Sequence, residues 1–313
     1  MTEQSKSITA ADPDQDLPPW VENGVLVYGP RKAGTTLFQN LLDGGDQLFV
    51  YPAELKLKSF ARKPQRGEDL DYYYSRSYIP TVNSPHFSQE RYQELWVAAR
   101  SQRTLRGLAE FVRYDAAAVF ASCSNAPSGL KMWCAKEVGG PTERILKTWR
   151  SIYPQGKALF ITRDPRMVTR AVLNDRRRKG IRLSWLTIAE ETLESMRVVT
   201  AQSRLLGDNG VLVIAYEDLV ANPAGIMAEV AAFLGVANAP NFVAPTIFSE
   251  PVVVRTASQQ THAVFQRTGS WQDGLPRRER WIISIVRGIA SFLPRFNVNY
   301  AELRQRLQQR KPA

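Results

Sequence analysis

Two glycines with a lysine between them form the stretch whose residue types most directly suggest chemistry. Gly29 and Gly34 bracket four residues, Lys32 lies inside that interval, and Thr35 and Thr36 follow it directly. A glycine-bounded turn that opens into a helix presents free backbone N–H groups and the positive end of the helix dipole to an anion. The spacing therefore predicts a loop that binds phosphate or sulfate, although a plain strand-to-helix turn could carry the same glycines.

The glycine spacing matches the first part of the Walker A pattern but departs from its end. Walker A places a lysine and then a serine or threonine directly after the second glycine. In this chain Thr35 and Thr36 occupy those positions, and the lysine is inside the loop at Lys32. The pattern argues against an ordinary ATPase, while the physical basis for binding an anion is retained.

Alternating strands and helices must position this loop. A β-branched and aromatic run (VLVY) precedes it, and four apolar residues at helical spacing follow it. Further strand-like runs lie at 46–51, where the strand should end at Pro52, and at 129–136, 158–162 and 211–216, with helical patterns after most of them. This alternation predicts an α/β fold, a single domain with a central parallel sheet flanked by helices and similar to P-loop NTPases, carrying a helical and loop insertion.

The chain divides into a tail and one domain. Residues 1–20 are polar and proline-rich and are expected to form a disordered tail, and residues 21–313 are expected to form the domain. Within it, 62–125 has a different pattern, tyrosine-dense and then helical, and is interpreted as an insertion on the acceptor side. Its aromatic side chains could line an acceptor pocket or could simply pack the insertion.

Charge and cysteine content restrict the partners and the compartment. The chain has 41 Lys and Arg against 30 Asp and Glu, a formal charge of +11, which favours an anionic partner such as nucleic acid, a phosphorylated cofactor, an acidic acceptor or an anionic membrane surface. Its two cysteines are too few for a disulfide framework. There is no transmembrane run and no signal-peptide pattern, so we expect a cytoplasmic protein.

A basic amphipathic helix is predicted near the C-terminus. The run RRERWIISIVRGIASFL at 277–293 places one set of apolar residues on a common face: Trp281, Ile282, Ile285, Val286, Ile289 and Phe292. Such a helix can lie on a membrane, but at the end of an α/β chain we expect it to be docked on the core.

Three blocks in a fixed order resemble the sulfotransferase family, which uses 3′-phosphoadenosine 5′-phosphosulfate (PAPS) as sulfate donor. Residues 30–36 (PRKAGTT) are similar to the family's 5′-phosphosulfate loop, and residues 160–166 (FITRDPR) to its 3′-phosphate block. Residues 216–219 (YEDL), followed by Pro223 and by FLG at 233–235, are similar to a downstream family pattern. The resemblance covers residues 24–235.

The resemblance implies how the donor is held. Lys32 would contact the sulfate, Arg163 would bind the 3′-phosphate, and Tyr216 would contact the adenosine part. Arg267 and Gly269, in QRTGSW, are similar to a C-terminal loop that closes over the 3′-phosphate. The cofactor-binding residues implied in this way are Arg31, Lys32, Ala33, Gly34, Thr35, Thr36, Arg163, Tyr216, Arg267 and Gly269.

The resemblance also implies a carboxylate base. Many cytosolic members use a histidine between the two phosphate blocks, but this chain has none between His86 and His262. Branches such as the tyrosylprotein and heparan sulfotransferases use a glutamate about twenty residues beyond the loop, and Glu54 stands there. Lys136 matches a lysine that those branches place near the transferred group. The implied catalytic residues are thus Glu54, Lys32 and Lys136, with no metal.

One departure from the family pattern keeps other functions open. The family usually has a 3′-phosphate-binding serine eight residues after the arginine, where this chain has Ala171; Arg170 or Asn174 could substitute. The leading hypothesis is sulfuryl transfer from PAPS to a hydroxyl or amine of a carbohydrate, small-molecule or peptide acceptor, with no nucleic acid as partner. The alternatives are a non-catalytic adenosine-phosphate or nucleic-acid binding module and a P-loop kinase of a small molecule.

Overall fold

A computed structural model of the chain describes residues 17–57, 84–102, 107–125, 127–252, 254–255, 260–261 and 269–310. Several predicted features lie outside these residues, namely Arg267, most of the tail and the tyrosine-dense first part of the insertion. Within the described ranges, no helix is long and apolar enough to cross a membrane.

The centre of the fold is a five-stranded sheet in which all the strands are parallel. Its strands are β1 (Gly24–Gly29), β2 (Leu48–Glu54), β3 (Met132–Val138), β4 (Lys157–Thr162) and β5 (Val211–Ala215). Their order across the sheet is β2-β3-β1-β4-β5. The predicted fold class, a single α/β domain with a central parallel sheet, is therefore confirmed. Because β1 is the central strand, the loop that follows it lies between its two neighbours at the carboxyl edge.

Helices connect and cover these strands. Among the described residues the α-helices are α1 (Thr35–Leu42), α2 (Gln89–Gln102), α3 (Leu108–Ala121), α4 (Thr142–Ile152), α5 (Pro165–Arg178), α6 (Trp185–Ser203), α7 (Tyr216–Ala221), α8 (Pro223–Leu234), α9 (Arg277–Ala290) and α10 (Tyr300–Gln308). Short 3₁₀ helices lie at Pro19–Glu22 and Pro240–Val243, and two small two-stranded sheets lie at Thr246–Ile247 with Glu250–Pro251 and at Val254–Arg255 with Gln260–Thr261.

The sheet is buried on both faces, as the apolar strands require. Successive residues of β1 point to opposite faces, so Leu26 and Tyr28 pack in one apolar cluster and Val25 and Val27 in the other. The first cluster includes the α2–α3 pair from the predicted insertion, and the second includes α1, α5 and α8. Trp20, the last residue of the predicted tail, is 7% exposed and packs in the first cluster.

Strand β2 differs from its prediction at the carboxyl end. It continues through Pro52 to Glu54, with a register shift between Val50 and Glu54. Proline cannot donate a ladder hydrogen bond, but β2 is an edge strand, where the missing donor is tolerated. As a result Glu54 lies on the sheet itself and pairs in register with Lys136 of β3.

Helix α9, near the C-terminus, has a different orientation from the one predicted. Ile282 and Ile283 are buried and pack with Ile188 of α6, so the helix is docked on the core. Trp281 and Ile289, which were predicted to share the docked face, are instead 66% and 67% exposed. The helix has two apolar faces, and the helical period does not indicate which one faces inward.

Candidate functional site

The glycine-bounded loop joins β1 to α1 and depends on the second glycine. Gly34 precedes the helix with a φ of 102°, in the left-handed region that favours glycine. A Cβ atom at this position would lie 2.4 Å from Cδ2 of Tyr216. Since Gly34 has no side chain to cap α1, the first-turn N–H groups at Thr35 and Thr36 face the loop. This arrangement suits an anion bound at the helix start.

Arg163 fastens the loop to the neighbouring strand. It follows β4 directly, is 8% exposed, and donates from Nη1 to the backbone oxygen of Lys32 over 2.9 Å. Its guanidinium carbon lies 4.1 Å from the centre of the Tyr216 ring, a cation–π contact. Arg163 and Tyr216 therefore flank the same side of the loop, with Gly34 packed against the tyrosine ring.

The residues after Arg163 form a helix start. The Asp164 carboxylate caps α5 by accepting from the Arg166 N–H over 2.8 Å, and Pro165 stands in the first turn, where its missing donor has no cost. The Asp164 carboxylate also accepts from the Arg166 guanidinium, with a shortest contact of 2.6 Å. Both interactions of the Asp164 carboxylate are therefore with the first turn of α5.

Lys136 reaches the loop from the other side. Its strand, β3, lies between β1 and β2, and its Nζ donates to the Thr36 hydroxyl over 3.1 Å. Lys136 is 8% exposed, and burial lowers the pKa of its ammonium, while the charges of Glu54 and Glu137 act in the opposite direction. The site therefore holds a partly desolvated cation beside the start of α1, with the carboxylate of Glu54 on the adjacent strand.

Lys32, the lysine of the loop, has a carboxylate partner that the sequence did not indicate. Its Nζ lies 3.1 Å from Oδ1 of Asp175, near the end of α5. Asp175 also pairs with Lys179 over 2.9 Å and with Arg178 over 3.4 Å. Hydrogen bonds from Lys179 and then from Lys32 lower the pKa of the Asp175 carboxyl to about 2, so Asp175 is ionised at neutral pH.

The basic residues around the end of α5 are largely paired within the protein. Nη2 of Arg31, in the loop, donates to both carboxylate oxygens of Glu191 of α6, at 2.7 and 2.8 Å, and Arg176 donates to the same carboxylate. Arg177 pairs with Glu279 of α9. The partners in these pairs are separated by 15 to 160 residues and lie on different elements, so no local sequence pattern indicated them.

The segment that follows Arg267 lies beside α5. Gly269 is exposed with a φ of 135°, and Arg170 donates from Nη1 to the Ser270 backbone oxygen over 2.9 Å. The Trp271 ring centre lies 6.0 Å from the Arg166 guanidinium carbon. Gly269 is thus placed near the helix that begins after Arg163, but no described contact joins it to the loop.

Arg170 and Asn174, the two residues near Ala171 that could replace the missing serine, both form hydrogen bonds within the protein. Arg170 is bound to Ser270 as above, and the Asn174 amide oxygen accepts from Arg177 over 2.6 Å. Both substitutes considered for the missing serine therefore have protein partners in this structure.

The sheet brings most of the predicted site residues to one edge. The strand order places the loop, Arg163 and Lys136 around the start of α1, and Glu54 next to Lys136. Ala33 and Thr35 are buried within this arrangement, whereas Thr36 and Lys32 are exposed to solvent. The start of α1 can bind an anion, and the ammonium groups of Lys32 and Lys136 can stabilise developing negative charge. The carboxylate of Glu54 can accept a proton from a neighbouring group.

A buried carboxylate near the site was also not predicted. Asp115 of α3 is 4% exposed and accepts from the Tyr51 hydroxyl over 2.8 Å and from the Tyr92 hydroxyl. Burial raises the pKa of its carboxyl to about 6, although the tyrosine hydrogen bonds act in the opposite direction. Tyr51 lies on β2, three residues before Glu54, so this cluster supports the strand that carries the glutamate.

Similarity to known proteins agrees with this geometry. The model described as "Sulfotransferase family" matches residues 24–240. The sulfotransferase domain from the curacin biosynthetic pathway is 15% identical, with 84% of this chain and 97% of that chain covered and a TM-score of 0.51. The sulfotransferase domain of the olefin synthase from Synechococcus PCC 7002 is 17% identical, covering 84% and 92%, also at 0.51. No curated protein sequence matches this chain.

Proposed function

This chain belongs to the sulfotransferase family, and we propose on that premise that it transfers a sulfuryl group from PAPS to a hydroxyl or amine of a small-molecule, carbohydrate or peptide acceptor. The observation that carries the proposal is the contact between Lys136 and Thr36, beside Glu54, at the start of α1. The start of α1, the Lys136 ammonium and the Glu54 carboxylate thus lie together at one edge of the sheet, and sulfuryl transfer needs an anion site, a cation and a base in this way.

The donor would be held at two places. The first-turn N–H groups of α1 and the Thr35 and Thr36 hydroxyls fit a 5′-phosphate, because no side chain caps this helix end. Arg163, with Tyr216 against its guanidinium, fits the 3′-phosphate side, where a planar bidentate donor is well suited to phosphate. PAPS, when bound, supplies an activated sulfuryl group whose release leaves adenosine 3′,5′-bisphosphate.

Lys32 and Lys136 are proposed to stabilise the charge that develops during transfer. The new bond joins sulfur to the acceptor oxygen or nitrogen, and the broken bond joins sulfur to the bridging oxygen of the donor. Negative charge therefore accumulates on the equatorial sulfate oxygens and the leaving phosphate, where preorganised cations are most effective. Lys136 is partly desolvated, which strengthens its interaction with such charge.

Glu54 is proposed as the general base that takes the acceptor proton. Its position on β2, paired in register with Lys136, places a carboxylate next to the cation that faces the loop. Among the described residues, no group donates a hydrogen bond to its carboxylate. The carboxylate can therefore accept a proton from the acceptor substrate. The chain has no histidine between residues 86 and 262 that could replace it.

The cytoplasm is the proposed compartment. Cys123 and Cys134 are both free, and burial raises the pKa of the Cys134 thiol, which makes it a poor nucleophile. Free, inert thiols are compatible with reducing conditions.

The proposal is tested with radiolabelled PAPS and a panel of phenols, alcohols, amines, sugars and tyrosine peptides. We expect labelled product with at least one acceptor class and a strong loss of transfer in Lys32→Ala. Lys147→Ala, at an exposed position on α4 away from the loop, is the matched control and should transfer normally. Failure of the wild-type protein to bind PAPS or to transfer sulfate would refute the proposal. Magnesium-dependent ATP turnover would indicate the kinase, and salt-sensitive nucleic-acid binding without transfer would indicate the binding module.

A further inference from the structure

Helix α9 carries an exposed apolar stripe on the side away from the core. Trp281, Ile285 and Ile289 follow one another at intervals of four residues and are 66%, 38% and 67% exposed. Just beyond the helix, Phe292 and Leu293 are 87% and 46% exposed and continue the apolar surface. We call these five residues the α9 stripe. Single exposed apolar residues are ordinary, but several on one helix face indicate an interaction surface.

The stripe does not arise from poor docking of the helix. The opposite side of α9 is packed against α6, where Ile282 and Ile283 share a cluster with Ile188, and Ala290 shares one with Met196. The core therefore already takes one apolar face of α9, and the stripe is a second one. A sequence selected only to dock the helix would be expected to have polar residues there.

Positive charge surrounds the stripe. Arg277 and Arg278 are exposed in the first turn of α9, and Arg295 is exposed just after Leu293. Among the described residues these three arginines have no carboxylate partner, unlike the arginines at the end of α5. The sole acidic residue of α9, Glu279, is turned inward and pairs with Arg177. The exposed face of α9 thus combines bulky apolar side chains with arginines that have no carboxylate partner in the described part of the chain.

We propose that the α9 stripe docks the protein on an anionic membrane surface. Tryptophan and phenylalanine on an apolar helix face, with arginines at the rim, have the composition of helices that lie in the lipid headgroup region. The arginines attract acidic headgroups, and the net charge of +11 adds to this attraction. A second copy of the chain would bring the same arginines together and their charges would repel, so anionic lipid fits the charge better than self-association.

The inner side of α9 faces α5, the helix that begins after Arg163. On the inner side of α9, Arg287 is partly buried and interacts electrostatically with Arg166 and Asp164, at the start of the helix that follows Arg163. The α9 stripe is therefore on the side of the helix that is turned away from Arg166 and Asp164. The docking itself does not depend on the proposed chemistry.

The test is co-sedimentation of the full chain with vesicles. We expect binding to phosphatidylcholine vesicles that contain phosphatidylglycerol and about tenfold weaker binding to phosphatidylcholine alone. The triple variant Trp281→Ser, Ile289→Ser and Phe292→Ser should lower the partition coefficient at least about 100-fold. Val97→Ser on α2, where the valine is 69% exposed, is the matched control and should bind as the wild type does. Circular dichroism of each variant checks that it is folded.

Three results would overturn the proposal. The wild-type protein could fail to sediment with the acidic vesicles, or the folded triple variant could bind as well as the wild type. In the third result, the wild-type protein would not bind vesicles, and light scattering would show that it forms a dimer that the triple variant does not form. The stripe would then be a contact between two copies of the chain. As a check on the charge, Arg277→Gln with Arg278→Gln should weaken vesicle binding about tenfold and make it less sensitive to salt.

Discussion

Lys136 and Thr36 are joined by a hydrogen bond of 3.1 Å that links β3, an inner strand of the sheet, to the first turn of α1. The ammonium is held at the helix start by a buried strand, so its position is fixed before any ligand arrives. Such preorganisation matters for charge stabilisation, because no reorganisation is needed when the charge develops.

Replacing Lys136 by methionine should therefore lower kcat for sulfate transfer by about 10²- to 10³-fold, the usual effect of removing one preorganised donor. KM for PAPS should change much less, since the loop and Arg163 remain. Burial lowers the pKa of Lys136, so its charge is destabilised by the fold, and methionine should not lower the melting temperature. Steady-state kinetics and thermal unfolding check this, with Lys147→Met as control; a normal kcat would exclude Lys136 from the transfer step.

Replacing Glu54 by glutamine should lower kcat by about 10²- to 10⁴-fold with an alcohol acceptor, because a proposed general base is lost while the side-chain shape is kept. The loss should be much smaller with an acidic nitrophenol, which releases its proton without help. The measurement is the ratio of wild-type to variant kcat across acceptors of decreasing acidity. Glu90→Gln, at an exposed position in the first turn of α2, is the control. A loss that is equal for all acceptors would assign Glu54 a role in binding instead.

Replacing Asp175 by asparagine should strengthen donor binding. The Asp175 carboxylate lies 3.1 Å from the Lys32 ammonium, and its charge both occupies the lysine and repels an anionic donor. Exposed pairs of this kind contribute up to about 1 kcal/mol, so the Kd for PAPS should fall by up to about fivefold at low salt. Calorimetry at low and high salt checks this, because screening should reduce the gain.

The control for this variant is Asp208→Asn, which removes a carboxylate paired with Arg150. It should leave PAPS binding unchanged. An unchanged or higher Kd in Asp175→Asn would mean that Asp175 holds Lys32 in the orientation needed for binding.

The fold could be predicted because its signals are local. Each buried strand is a short apolar run, the loop is marked by glycines, and Arg163 stands where a strand ends and a capped helix begins. Glu54 and Lys136 were predicted from motif resemblance, and the strand order explains why they are adjacent.

The features that escaped prediction depend on contacts between distant segments. Asp175 and Glu191 lie more than a hundred residues from Lys32 and Arg31, and no periodicity relates them. Strand β2 was expected to stop at Pro52, because an edge position cannot be recognised before the strand order is known. The exposure of Trp281 was missed because α9 is apolar on two sides.

Asp115 should make the stability of the protein depend on pH near neutrality. The pKa of its carboxyl is about 6 in the fold and 3.8 for the ordinary group, so the folded state binds more protons between these values. The contribution of Asp115 to the free energy of unfolding therefore increases as pH falls through 6, and it is lost again as pH rises.

Replacing Asp115 by asparagine should remove this component, because asparagine does not titrate. Between pH 7.5 and pH 5 the wild type should gain about 1 kcal/mol more stability than Asp115→Asn. Urea unfolding at several pH values measures the difference, with Asp46→Asn, at an exposed position before β2, as control. Parallel pH profiles for the wild type and Asp115→Asn would show that the buried carboxyl keeps an ordinary pKa, and that the Tyr51 and Tyr92 hydroxyls compensate fully for its desolvation.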